Sequence, residues 1–468
     1  MYVTEFLITF ASIYKQCIMT LVIVTILLLC YALIATENIT NINKAAVAIF
    51  AGTVGWVLYI CYGTDFVMLR HAAEYSSFWD GVTETSIAVK EFIAQNIFIK
   101  YVGKASSLVL FLLATMEIVE ILNNNGCFDF ISQLMKTRSS NKLLWIVSIL
   151  TFLISANLDN LTTIILMLTI MHKIIPNRRL RMMYGAAILL SANLGGALTV
   201  IGDVNGLYLW TNGNVSASNY SLSMALPVLI AWLVPILWLG MQMPDRIETE
   251  SITMPYRGDD TRLNVWQRII MLFVGIGGLW FIPTFHDITK LDPFLGALCV
   301  LAVLWVVNEI INRKLLRADD TTTISNRIPR VLQYGTIQMA LFVLGMMLAI
   351  GVIQEIGVIE QLSVAFDENV HNIWIVGVLA GAMSCVLDNF TTAISFFYLH
   401  GNVDLNGEYW KIIAYCTIVG GNVLCIGSAG GLALMRAERI HVGWYLRNVG
   451  LKVVVGGLFG FITLYFVA

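Results

Sequence analysis

Two copies of one nine-residue pattern carry the acids around which any chemistry in this chain must be built. Ser155-Ala156-Asn157-Leu158-Asp159-Asn160-Leu161-Thr162-Thr163 recurs as Ser384-Cys385-Val386-Leu387-Asp388-Asn389-Phe390-Thr391-Thr392, and both read S-x-x-L-D-N-x-T-T. Each copy sits near the middle of a long apolar segment, Leu143–Met171 and Ile373–Leu399. A carboxylate in such a place is costly unless it faces a protein interior or a wet cavity and has partners. Asn160, Thr162 and Thr163 beside Asp159, and Asn389, Thr391 and Thr392 beside Asp388, are neutral oxygen donors. Hard cations take oxygen ligands, and one carboxylate with several neutral oxygens suits Na⁺ or Li⁺ but is too charge-poor for a tight Ca²⁺ cage. The two copies therefore read as halves of one site, with Na⁺ at Asp159, Asn160, Asp388 and Asn389. Ser155 and Ser384, four residues before each Asp, are either ligands or hydroxyls that brace the segment. The plainer alternative for both acids is a structural carboxylate bonded to its own segment.

A second matched feature follows each copy. In the first it is Asn193-Leu194-Gly195-Gly196-Ala197-Leu198-Thr199-Val200-Ile201-Gly202-Asp203; in the second it is Gly420-Gly421-Asn422-Val423-Leu424-Cys425-Ile426-Gly427-Ser428. Paired glycines (Gly195, Gly196, Gly420, Gly421) with small polar residues inside a span predict a broken helix, whose unwound carbonyls, with Asn193, Asp203, Asn422 and Ser428, can coordinate an ion. Close helix packing is the alternative use of such glycines. Glu117 and Glu120 lie three residues apart on one helical face. Burial favours a protonated carboxyl, so these two join Asp159 and Asp388 as proton-handling candidates. The competing reading is a solvated Glu120 at the membrane edge. Neither the repeated segments nor the glycine-broken stretches contain Arg or Lys. An anionic cargo would want a positive partner, so a cation is the expected one.

The elements that must position these residues are membrane helices. The chain has 468 residues, is 58% hydrophobic and only 12% charged, and its mean hydropathy is +0.78, which excludes an ordinary soluble globule. A net charge of −2 points to no nucleic-acid partner. Eight scattered cysteines form no C-x-x-C pair, and no G-x-x-x-x-G-K-[ST] loop for ATP appears. Neither a Ser/His dyad nor an H-E-x-x-H motif is apparent, so no enzyme and no cofactor is expected. Expected spans are Gln16–Ala35 (a retained span, with no cleavage signature before it), Lys44–Tyr62, Ala105–Leu122, Tyr184–Trp210, Ser223–Gly240, Trp266–Phe281, Leu291–Ile311, Gln333–Ile353, Tyr409–Met435 and Val442–Ala468. The stretch Asp65–Lys104 is long enough to hide one more. The histidines, including His71, His172 and His371, fall at loops or segment ends and read as solvated surface groups.

The two motif segments fit no single or double span, being too short for two crossings and too long for one. A re-entrant hairpin with the polar motif at its tip resolves this, provided it is wrapped in protein or lines a cavity. Lys136, Arg138 and Lys142 precede the first hairpin, and Lys173, Arg178, Arg179 and Arg181 follow it, placing both ends in the cytoplasm. Asp367, Glu368, Asp404 and Glu408 flank the second, placing its ends outside. One hairpin from each face is the mark of an inverted repeat. The expected fold is an all-α polytopic membrane protein, an inverted-repeat secondary transporter with two re-entrant hairpins and two broken helices. Residues 1–240 form the first repeat (hairpin 143–171, broken helix 184–210), residues 241–265 a cytoplasmic linker, and residues 266–468 the second repeat (hairpin 373–399, broken helix 409–435), with both termini outside.

On these motifs, together with Ile118-Val119-Glu120, the chain resembles the NhaD-type sodium/proton antiporters of the ion transporter superfamily from about residue 105 onward. The superfamily's dicarboxylate transporters look similar but carry Ser-Asn-Thr at the tips, where this chain has Asp-Asn. The resemblance implies exchange of Na⁺ or Li⁺ for H⁺ across a bacterial inner membrane, and a homodimer. Glu117 beside Glu120 departs from the pattern. The alternative is a Na⁺-coupled symporter of an anionic substrate.

Overall fold

The computed structural model describes residues 2–40, 42–79, 85–135, 137–247, 263–316, 330–370, 372–400 and 403–467. Expectations that fall on Lys136, His371 and residues 248–262 of the linker lie outside these, as do residues 317–329 between the expected spans Leu291–Ile311 and Gln333–Ile353. The chain is helical throughout, with no strand among the described residues and one isolated bridge between Ser139 and Arg246.

Eight described helices are long and apolar enough to cross a membrane: Cys17–Ala35, Lys44–Cys61, Ser86–Asn124, Ala217–Gly240, Val265–Thr289, Pro293–Asn312, Ile337–Glu355 and Val442–Val467. They correspond to eight of the ten expected spans. The other two are the expected broken helices, and both are broken. Arg178–Gly196 gives way to the non-helical stretch 197–203 before Val204–Thr211, and Glu408–Gly421 gives way to 422–428 before Ala429–Glu438. Among the described residues, the stretch Asp65–Lys104 holds no separate span. Short helices at Gly63–Arg70 and Ala72–Phe78 precede a helix that starts at Ser86, far upstream of the expected Ala105, and includes a π-helical turn at Ile93–Phe98. Lys90, Lys100 and Lys104 hid that extension by lowering its apolar content.

Each motif segment is a pair of short helices joined at the motif. Ser140–Ser155 and Asn160–Ile174 have 16 and 15 residues, and Ile373–Ser384 and Asn389–Leu399 have 12 and 11. At 1.5 Å per residue even the longest reaches only about 24 Å, short of a hydrocarbon core of about 30 Å.

The chain divides into two compact units. One comprises residues 1–109, 338–371 and 394–401. Within it Gly52 and Gly345 let Lys44–Cys61 and Ile337–Glu355 approach to backbone contact, the use of small residues that replaces a hydrophobic driving force in lipid. Glu355, 7% exposed, accepts from the Tyr101 hydroxyl at 2.7 Å and faces His71 Nε2 at 2.9 Å. His71 is therefore not the solvated surface group the sequence suggested, and the hydrogen bond to the Glu355 carboxylate raises its pKa. The other unit comprises residues 110–337, 372–393 and 402–468, and it holds both motifs and both broken helices. In it Ala217–Gly240 packs against Val442–Val467, and each broken helix packs on the first arm of the motif segment before it.

Candidate functional site

The second unit is built around two backbone devices with matching contacts. A methyl group on Gly195 would collide with the backbone of Phe152, and one on Gly420 with the backbone of Gly381; each partner lies three residues before its motif serine. Likewise Gly202 abuts the Ser155 carbonyl and Gly427 the Ser384 carbonyl. The same glycines thus serve both uses weighed from the sequence: they end a helix and admit a neighbouring backbone. The motif serines are committed to the same joint. Ser155 Oγ donates to the Ala192 carbonyl at 2.7 Å, and Ser384 Oγ to the Thr417 carbonyl at 2.6 Å. Both are fully buried, and these bonds fit the bracing role.

At the tips, the side chain of each Asn turns back on the chain: Asn160 Oδ1 accepts from Leu161 N–H at 2.8 Å, and Asn389 Oδ1 from Phe390 N–H at 2.9 Å. Asp159 is the N-cap of its second arm, with Oδ2 accepting from Thr162 N–H at 3.1 Å and from Thr162 Oγ1 at 3.2 Å. Asp388 caps the other arm through Phe390 N–H at 3.1 Å, and its carbonyl accepts from Thr392 Oγ1 at 3.1 Å. The broken helices restart on the same principle. Asp203 accepts from Asn205 N–H at 3.3 Å, and Ser428 from Gly431 N–H at 3.1 Å. Four helix amino termini are therefore capped by site residues, three of them by aspartates, which neutralises the positive ends that would otherwise attract an anion.

A chain of amides links the devices. Asn160 Nδ2 donates to Asp203 Oδ1 at 2.9 Å and to Asn193 Oδ1 at 3.3 Å; Asn193 Nδ2 donates to Asn422 Oδ1 at 2.7 Å and to Ser428 Oγ at 3.1 Å. Asn389 N–H donates to the Gly427 carbonyl at 2.9 Å. Asp203 is close enough to Asp159 and Asp388 for their charges to interact with its own. The structure thus brings together Asp159, Asn160, Asn193, Asp203, Asn422, Ser428, Asp388 and Asn389. Asp159 Oδ1 and the neighbouring Thr163 Oγ1 are buried without a hydrogen-bond partner among the described residues. A bare carboxylate oxygen and, one helical turn on, a bare hydroxyl oxygen are donors that a dehydrated cation satisfies. Thr391 and Thr392 are buried within the second arm.

Glu117 and Glu120 stand apart. Both are half-buried, Glu120 bonds to Asn124 of its own helix, and neither is hydrogen-bonded to a motif or broken-helix residue among those described. One residue the sequence reading passed over is Asn205. It is fully buried, and neither its amide oxygen nor its nitrogen has a hydrogen-bond partner among the described residues. The signal was there: an amide two residues past Asp203 in an otherwise apolar helix. Cys425, in the second break, holds a left-handed backbone (φ 64°), a conformation a non-glycine residue keeps only when its surroundings enforce it.

By sequence, the chain is similar to known transporters. The profile of the family described as CitMHS, citrate transporter, matches residues 18–420. Sodium/proton antiporter 1 of Arabidopsis thaliana is 31% identical over 356 residues, 74% of this chain, and the matched region spans only 59% of that relative. Sodium/proton antiporter 2 of the same plant is 27% identical over 440 residues, covering 92% of this chain and 96% of the relative. The Na(+)/H(+) antiporter NhaD of Vibrio cholerae is 27% identical over 360 residues, 71% of this chain and 72% of its own. The NhaD-type resemblance read from the motifs is thus met by relatives bearing that name.

Proposed function

The chain belongs to the citrate transporter (CitMHS) family, and within it we propose that this member exchanges Na⁺, or Li⁺, for H⁺ as a secondary antiporter. The observation that carries the reading is the capping pattern. Asp159, Asp203 and Asp388 already occupy three of the four helix amino termini at the site. A citrate-like anion would meet carboxylates there, whereas a cation meets them together with the unpartnered Asp159 Oδ1 and Thr163 Oγ1. Relatives named as sodium/proton antiporters support the same cargo.

In this mechanism cation and proton compete for Asp159 and Asp388. With both ionised, Na⁺ binds among the motif oxygens, Asn193, Asn422, Ser428 and the carbonyls of the broken stretches. When protons neutralise the site, Na⁺ leaves. Only the loaded or protonated unit changes access, so exchange is obligatory. Glu117 and Glu120, apart from the site, are the proposed carriers of protons to and from it. The motif segments act as re-entrant hairpins from opposite faces, residues 1–240 and 266–468 act as inverted repeats joined through 241–265, and the protein works as a homodimer in a bacterial inner membrane.

The test is Na⁺-induced proton movement in liposomes carrying a pH gradient and a pH-sensitive dye, with NaCl, LiCl or KCl added across a pH series. The native protein should collapse the gradient with Na⁺ or Li⁺, and Asp159→Asn and Asp388→Asn should each abolish this while inserting normally. Robust exchange in either variant would remove the assigned site. The family's description favours one second reading, Na⁺-coupled uptake of an anion. It predicts Na⁺-driven carboxylate entry with no proton counterflow.

A further inference from the structure

Three helices that build the site are also fastened together at their far ends. Asn160–Ile174, Arg178–Gly196 and Ala429–Glu438 present Asn160, Asn193 and Ser428, joined through Asn193, at one end. One step along, a methyl on Gly430 would strike Ile164 and Leu189. A further step along, a methyl on Gly185 would strike Leu434 and Leu168. The last layer is ionic. Arg181 Nε donates to both oxygens of Glu438, at 3.0 and 3.1 Å, and Arg181 Nη1 donates to the carbonyls of Ile175 and Pro176, both at 2.9 Å. Arg178 donates to the Glu438 carbonyl at 3.1 and 3.2 Å and to the Arg439 carbonyl at 3.0 Å, and His172 Nδ1 lies 3.5 Å from Glu438. The register is regular: 160, 164, 168, 172 on one helix, 193, 189, 185, 181 on the next, and 430, 434, 438 on the third. Each step of four residues is about 6 Å, so the ionic layer lies about 18 Å from the site.

We propose that Arg181 and Glu438 are positioning residues for cation binding. They fix how far Asn160–Ile174 can slide against Ala429–Glu438, and so fix the separation of Asp159 and Asn160 from Ser428 and Asn422. The proposal rests on the cation-site reading above. The layers between clamp and site are packed glycine against isoleucine and leucine side chains, so part of a displacement at one end is passed to the other. Glu438 is only 3% exposed, and removing either partner strands the other charge in a buried place. The clamp also caps carbonyls at the carboxyl ends of two of these helices, where cationic side chains are favoured. Basic residues at this point in the chain otherwise read as membrane-orienting charge, which would need neither the buried carboxylate nor seven hydrogen bonds to backbone and side-chain oxygens on two other segments.

The test uses Arg181→Gln and Glu438→Gln in the full chain, with two readouts. Without added Na⁺, amide exchange over 160–164 and 428–432 should quicken about tenfold in either variant, while 204–211 stays unchanged. In liposomes the half-saturating Na⁺ concentration should rise about tenfold with a smaller change in maximal rate, the scale on which supporting groups act on ion affinity. The double variant should be no worse than the poorer single one, because the two form one unit. Arg178→Gln, which spares the ion pair and removes only carbonyl caps, should shift the half-saturating concentration about threefold and serves if the stronger variants do not fold. Faster exchange confined to 172–181 and 435–441, with unchanged half-saturation, would overturn the proposal. Were the native protein to move no protons with Na⁺, the transport reading would fail while the exchange measurement still decided the clamp.

Discussion

The two motif-and-broken-helix modules share a backbone plan and differ in charge. Phe152, Ser155, Gly195 and Gly202 in one correspond, contact for contact, to Gly381, Ser384, Gly420 and Gly427 in the other. Yet the first module contributes Asp159 and Asp203, and the second contributes Asp388 and Ser428. The far ends differ too. The Arg181–Glu438 clamp secures one end of the site helices, whereas among the described residues the loops near 214 and 406 meet through neutral groups, with Asn406 accepting from Ser216 N–H at 2.7 Å and donating to the Asn214 carbonyl at 2.9 Å. The joint of motif segment to broken helix is what both modules share, and the acid inventory is where they differ. A site built from two like joints with three carboxylates holds one more acid than the duplicated motif supplies.

The comparison is most severely tested at its shared part. Gly195→Ala and Gly420→Ala should both be severe, because each methyl lands on backbone that cannot yield. Overpacking of this kind costs about 1–3 kcal/mol or more, and thermal unfolding with a transport assay should show both variants destabilised and inactive. Gly103→Ala, with open space around it, should be neutral or slightly stabilising. If Gly195→Ala were tolerated and Gly420→Ala not, the joints would not be equivalent.

The divergent part comes next. Asp203→Ser gives the first module the cap of the second. Since Ser also caps, the helix restart should survive, but Asn160 loses a charged acceptor, and the half-saturating Na⁺ concentration should rise about tenfold. An unchanged value would place Asp203 outside the site. Ser155→Ala and Ser384→Ala should cost about 1 kcal/mol each in unfolding experiments, the worth of one buried hydrogen bond, with Na⁺ affinity nearly intact. A large affinity loss in either would make that serine a ligand.

The smallest effect lies in the other unit. His71 has a raised pKa in the folded protein, so its pairing with Glu355 contributes stability that is full below the unfolded value of about 6.5 and is lost as pH climbs through the folded one. The difference in melting temperature between the native protein and His71→Gln should be on the order of 1–2 °C near pH 5.5 and should shrink above the folded pKa. A gap that widened with pH would have the sign wrong.

Much of this was legible in the chain itself because it rests on residue type at fixed spacing. Asp159 and Asp388 announced themselves by being charged in apolar runs, and Gly195-Gly196 and Gly420-Gly421 marked the breaks to within a residue of where the helices end. What stayed hidden depends on contacts between distant segments. Glu438 falls between the last two expected spans, with nothing in the sequence to single it out, and only the fold brings it to Arg181, 257 residues away. His71 looked solvated because Glu355 lies 284 residues away in sequence. Ser155 and Ser384 offered two roles from sequence, and the carbonyls of Ala192 and Thr417 that fit one of them became visible only in three dimensions.

The central claim is that cation and proton occupy the same carboxylates in turn. It is tested most directly by adding Na⁺ to purified protein in weakly buffered detergent solution and recording proton release. The account predicts saturable release from the native protein near neutral pH, fading as pH rises and the acids ionise beforehand, and none from the Asp159→Asn/Asp388→Asn double variant. Saturable Na⁺ binding with no proton released at any pH would contradict it and turn the assignment toward Na⁺-coupled anion uptake.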